Sequence, residues 1–196
     1  NCGFTMAESA QFAVVMDDSL ALELGADILA SVPDVFVHAD GAKKSISSPG
    51  IGNYLTLGRA ASLVRQLLGE DALRNNSVVH AHGTGTPQNR VTESHVLNEV
   101  AKAFHISDWP VAAIKAYVGH SLGSAGGDQL ASAAGTFQDG LLPGIATVDH
   151  FAADLHDSNL SFSREHREMR PSAALLNSKG FGGNNATAVM LSPDAT

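Results

Sequence analysis

Three short stretches pair reactive side chains with glycines that let a backbone approach a ligand. The first, HGTGTP at residues 82–87, opens on His82 and carries Thr84 and Thr86 between its glycines. The second, KAYVGH at 115–120, holds Lys115 and His120. The spacing predicts a helix starting at His120, and the positive end of a helix dipole disfavours imidazolium. His120 is therefore expected neutral and able to donate from Nε2. The third, GFGGNN at 180–185, contains Gly180, Phe181, Gly182 and Gly183, a loop suited to presenting amide N–H groups to an oxyanion. Taken singly, these are a strand-end histidine, a snorkelling lysine and a turn. GFGG does not fit a phosphate-binding loop, and HGTGT has no second ligand at metal-binding spacing, so no metal site is expected. Together, in this order and each at a strand end, the three exceed coincidence and form one specific constellation.

The elements that must position these loops alternate along the chain. Residues 11–16 (QFAVVM) read as a short β-rich run, and 17–25 as a helix with Asp17 at its start and Gly25 at its end. Residues 28–39 read as a strand in which Pro33 requires an edge or a bulge. A loop is expected at 45–53, then a helix at 54–68 and a strand at 77–81 running into the His82 loop. The next helix is placed at 92–104 with Thr92 as its N-cap, followed by a buried strand at 111–114. From His120 to about Gln138 a small-residue helix (SLGSAGGDQLASAAG) implies close approach of another backbone. Residues 149–170 read as a polar surface excursion, and 173–177 and 186–191 as two strands joined by the loop 178–185. Strands alternating with helices predict an α/β layered fold.

Composition narrows the function. The chain has 196 residues, 44% hydrophobic and 16% charged, as expected for a globular protein with a core. Its net charge is −8, with Lys43-Lys44 the only adjacent basic pair, which argues against a nucleic-acid binder. No apolar run is long enough to span a bilayer, and NCGFTMAESA has no signal-peptide character. The absence of an initiating Met suggests an engineered or processed piece, not a natural start. A single cysteine, Cys2, rules out an internal disulfide framework and fits the cytoplasm.

HGTGTP, KAYVGHSLGSAGG and NSKGFGGNNATAVM resemble the three C-terminal signatures of β-ketoacyl-acyl-carrier-protein synthases, and residues 3–8 (GFTMAE) resemble the segment following the nucleophile in those enzymes. The resemblance covers nearly the whole chain but only the second half of a complete synthase. It implies a thiolase-like fold with a mixed sheet covered by helices, residues 1–196 being the C-terminal domain. It also implies decarboxylative Claisen condensation of an acyl thioester with malonyl-acyl-carrier protein. His82 and His120 would stabilise the enolate, and Lys115 would pair with Glu93 and keep the charge balance. The Phe181 amide would join the oxyanion hole while its loop gates the site. Thr84, Thr86, Gly180, Gly182 and Gly183 would contact substrate. The histidine pair selects the elongating branch over thiolases and the acetyl-CoA-primed class. No cofactor is implied beyond the phosphopantetheine of the carrier protein.

The implied partners are that carrier protein and the N-terminal half bearing the cysteine nucleophile, in a homodimer or heterodimer. Cys2 does not fit that nucleophile, so the chain alone is expected to be inactive. The sequence departs from the family at Asn89-Arg90 (usually Gly-Asp), His80 (usually Glu), Lys179 (commonly aromatic) and Asn184 (usually Thr). Two other readings are a chain-length-factor-like partner, which would commonly lose the histidines kept here, and an acyl-thioester binding module that folds alone.

Overall fold

The computed structural model describes residues 3–41 and 50–195. Cys2, Lys43-Lys44 and most of the expected loop 45–53 lie outside the described residues. The first element is α1 (Asp18–Leu24), capped by the Asp17 side chain on Ser19 N and ended by Gly25 in the left-handed region. Strand β1 (Ser31–Ala39) leads toward helix α2 (Ile51–Asn75), which Gly69 breaks in two with a φ of 91° and ψ of 171°. Then β2 (Ser77–His80), α3 (Pro87–Ala103), β3 (Trp109–Ala112) and the single turn α4 (Lys115–Val118) follow. Helix α5 (Ala125–Asp139) precedes the short strands β4 (Leu141–Leu142), β5 (Leu160–Ser161) and β6 (Arg167–Glu168). The hairpin β7 (Ala173–Gly180) and β8 (Asn184–Leu191) closes the fold.

Six strands form one mixed sheet in the order β1-β8-β7-β2-β3-β5. The pairs β7/β2, β2/β3 and β3/β5 are parallel, whereas β1/β8 and β7/β8 are antiparallel. Both expectations for Pro33 hold: β1 is an edge strand, and its register shifts between Ser31 and Asp34. Side chains alternate between the two faces of each strand. On one face Val79, Val111, Leu175 and Val189 pack with Leu57 and Val64 of α2 and with Leu97 and Val100 of α3. On the other, Val78, Leu176 and Met190 pack with Ala133 and Phe137 of α5. The result is a layered α/β fold with the parallel strands at its centre, and their C-terminal ends carry the loops of interest.

Several boundaries differ from those expected. Residues 11–16 pair with no strand, and Phe12, Val14 and Val15 lie exposed, because nothing in the described chain covers them. Helix α3 starts at Pro87, not at Thr92, because the Thr86 hydroxyl accepts from Asn89 N and proline suits a first helical turn. The helix expected from His120 begins only at Ala125, after a 3-10 turn at Leu122–Ser124. Gly119 accounts for this delay: its φ of 73° and ψ of −168° break the α4 turn and make His120 extended instead of helical. The excursion at 149–170 stays at the surface, yet it adds β5 to the sheet edge. The final hairpin is tighter than expected, with a turn of only Phe181–Gly183.

Candidate active site

His82 follows β2 at the centre of the sheet. Its amide and that of Gly83 donate to the two carboxyl oxygens of Glu93, at 2.7 and 2.9 Å. Asn89 Nδ2 and Asn177 Nδ2 each add a hydrogen bond of 2.7 Å to the same carboxyl. Glu93 is thus a buried anchor for the His82 loop, its acceptor capacity taken up by four N–H groups. Burial alone would push Glu93 upward. Its electrostatic interaction with His82, the field of Lys179 and the hydrogen bonds from Gly83 and Asn177 outweigh that effect, so its carboxyl is held below the usual range.

Lys115 is buried at the start of α4 and donates from Nζ to the His82 carbonyl at 2.6 Å. The expected direct ion pair with Glu93 does not form, because that carboxyl is already saturated and the lysine is drawn to the carbonyl. Burial lowers the Lys115 amine, while Glu93 and then Asp128 pull it back up through their fields alone.

His120 is held by strand-like contacts rather than by a helix. Its amide donates to Thr5 O at 2.7 Å, and its carbonyl accepts from Ala7 N at 3.0 Å. Leu122 N donates to His120 Nδ1 at 3.0 Å, so the neutral ring carries its proton on Nε2. The sequence expectation for this tautomer is met by a different cause, a backbone amide in place of a helix dipole. The Phe4 ring stacks on His120 with centroids 4.5 Å apart. The two histidine rings meet edge to face at 5.1 Å. Burial drives His82 down to about 3, against Glu93 and with help from Lys115, His120 and Lys179. Burial, then Lys115, drives His120 down to about 4, against Asp128. Both imidazoles are neutral at pH 7.

These groups border a cleft of about 860 Å³, walled by His82, His120, Thr84, Thr86, Phe4, Gly180 at the end of β7 and the turn residue Phe181. Phe181 stands at the hairpin tip, 71% exposed. The Thr84 and Thr86 hydroxyls lie 2.9 Å apart. Gly182 and Gly183, both at φ 81°, form the turn behind the cleft and do not line it. Lys115 and Glu93 lie beneath the wall. Arg90 points away from the His82 loop to Asp154 at 2.6 Å, and Asn89 takes part in the Glu93 cluster, so this departure leaves the loop packed. Sequence reasoning did not find Asn177, Asp128 or the stacking of Phe4. Asn177 lies within the NSKGFGG stretch, and Asp128 sits in the small-residue helix, where a lone acid was the signal.

Residues 29–149 match the family described as beta-ketoacyl synthase, C-terminal domain. The beta-ketoacyl-[acyl-carrier-protein] synthase FabY of Pseudomonas aeruginosa is 60% identical over 195 residues, covering 98% of this chain and 31% of that protein. Its crystal structure superposes with a TM-score of 0.96 over the full chain at 57% identity. The 3-oxoacyl-[acyl-carrier-protein] synthase 1 of Escherichia coli is 28% identical over 188 residues, 96% of this chain and 43% of that protein. The chain thus spans between about a third and under a half of the length of these relatives. With its thiolase-like fold, its matched residues and these relatives, the chain belongs to the β-ketoacyl synthase family as a C-terminal domain.

Proposed function

We propose that this chain supplies the decarboxylation site of a β-ketoacyl-acyl-carrier-protein synthase, the cysteine nucleophile coming from the rest of the protein. The observation that carries this reading is the pair of neutral imidazoles, 5.1 Å apart at the edge of one cleft. A malonyl thioester delivered on the phosphopantetheine of a carrier protein would place its carbonyl oxygen between them. The bond from Cα to the carboxylate breaks, CO₂ leaves, and the electron pair passes into the enolate, whose oxygen accepts hydrogen bonds from His82 and His120. Each such donor contributes about 3 kcal/mol to the developing oxyanion in a preorganised site. The enolate carbon then attacks the acyl thioester on cysteine. The resulting tetrahedral oxyanion takes a hydrogen bond from the Phe181 amide and from the cysteine amide, and the thiolate leaves. Thr84 and Thr86 would bind the polar arm of the carrier, and the exposed Phe181 would gate access.

With a net charge of −8, this chain is a poor match for an acidic carrier, so the remainder of the synthase supplies most of the basic docking residues. A non-condensing partner has no use for two neutral imidazoles anchored in this way, and their retention favours the enzyme. The test is CO₂ release from malonyl-carrier protein by the intact synthase. His82→Ala should cut the turnover number about 100-fold with little change in KM. An unchanged turnover would overturn the reading.

A further inference from the structure

Lys179 is a buried cation that the proposed chemistry leaves unused. It is 5% exposed, yet its one side-chain hydrogen bond among the described residues is a long one, 3.4 Å to Thr92 Oγ1. A charge removed from water at this depth requires opposite charge nearby. Strand register locates it. Residues two apart on β7 share a face, so Lys179 follows Asn177, which donates to Glu93 at 2.7 Å. Across the hairpin Lys179 stands opposite Asn185, whose Nδ2 donates to Asp40 Oδ1 at 2.9 Å. Asp40 N in turn donates to Gly183 O at 2.8 Å, while Asp40 Oδ2 is buried with no hydrogen-bond partner among the described residues. One carboxyl anchors the His82 loop, and the other holds Asn185, whose Nδ2 also donates to Gly183 O of the Phe181 turn at 3.0 Å. Burial lowers the Lys179 amine, and Glu93 and Asp40 both pull it back up.

We infer that Lys179 is a positioning residue, the shared counter-ion of Glu93 and Asp40, and that it ties the His82 loop to the Phe181 turn. Its consequence for pH follows from the groups facing it: Glu93 on α3, Asp40 after β1, and His82, with Lys115 and His120 beyond. Lys179 favours charged Glu93 and neutral His82. Without it both groups protonate at higher pH, and the working state needs neither protonated. The acid limb of CO₂ release therefore moves upward.

The experiment compares the intact wild-type synthase with Lys179→Met, Lys179→Arg and the pair Lys179→Met/Asp40→Asn, by pH–rate profile and thermal melting. Lys179→Met should raise the acid limb by about one pH unit, whereas Lys179→Arg keeps it near the wild-type position. Lys179→Met should also lower Tm, and adding Asp40→Asn should recover part of the loss by restoring charge balance. An unmoved limb in Lys179→Met, an equal shift in Lys179→Arg, or no recovery in the pair overturns the inference. The pH arm rests on the decarboxylation reading, whereas the melting arm does not. A wild type that releases no CO₂ overturns that reading and leaves the melting arm to decide this one.

Discussion

A carboxyl that already accepts four hydrogen bonds from its own chain has little capacity left for a substrate, so Glu93 acts by holding His82 in place. The histidines above it owe their neutrality to burial, and a third one, His80, shares that property without any site to serve. His80 is fully buried, neither ring nitrogen has a partner among the described residues, and burial pushes it down to about 4. The unfolded chain takes up protons at such histidines near pH 6.5, whereas the native chain resists until about pH 4 or below. Between those values the unfolded state binds more protons, so stability falls as pH falls, by about 1 kcal/mol per unit for each histidine. His80→Leu fills similar volume, leaves no orphaned nitrogen and removes one share of this loss. Melting of the intact synthase at pH 7 and pH 5 should therefore show a smaller drop in Tm for the variant. An equal drop would contradict the assignment.

At the scale of elements, the strand ends decide where chemistry happens, and Gly119 shows how closely. A Cβ at this position would lie 2.9 Å from Ala7 Cβ and 3.1 Å from Thr5 O, on a backbone at φ 73°. Thr5 and Ala7 are the residues that hold His120 by its amide and carbonyl. Gly119→Ala should cost about 1–3 kcal/mol of stability and misplace His120. Thermal melting checks the first effect, and a wild-type Tm would contradict it. The three glycine-rich stretches were legible as a site because each combines a chemical side chain with backbone that only glycine tolerates. The edge position of β1 was legible from Pro33, and the ends of α1 from Asp17 and Gly25. The start of α5 was not, since SLGSAGG continues the small-residue pattern through a 3-10 turn and composition alone gives no sign of the break. Nor was the Glu93 cluster, which draws on loop amides, α3 and β7 across a distance in sequence that periodicity does not reach. The N-cap role of Thr86 is hidden in the sequence because HGTGTP reads as loop through Pro87.

Over the whole molecule, the edge strand β1 and the segment before α1 carry exposed apolar side chains. Phe12, Val14 and Val15 are 97%, 85% and 87% exposed, and Val32, Val35 and Val37 of the edge strand are exposed as well. Large apolar side chains exposed in this number favour association. The 196-residue chain expressed alone should therefore associate in analytical ultracentrifugation, and a well-behaved monomer across the micromolar range would contradict this. The central claim is that His82 and His120 act as a unit on one oxyanion, and a double-mutant cycle on CO₂ release by the intact synthase tests it most directly. Wild type, His82→Ala, His120→Ala and the double variant are compared with malonyl-carrier protein at pH 7. Each single change should lower turnover about 100-fold, with the double variant little worse than either, because groups that share one developing charge are not additive. Full additivity of the two losses, or a single variant that keeps the wild-type rate, would contradict it.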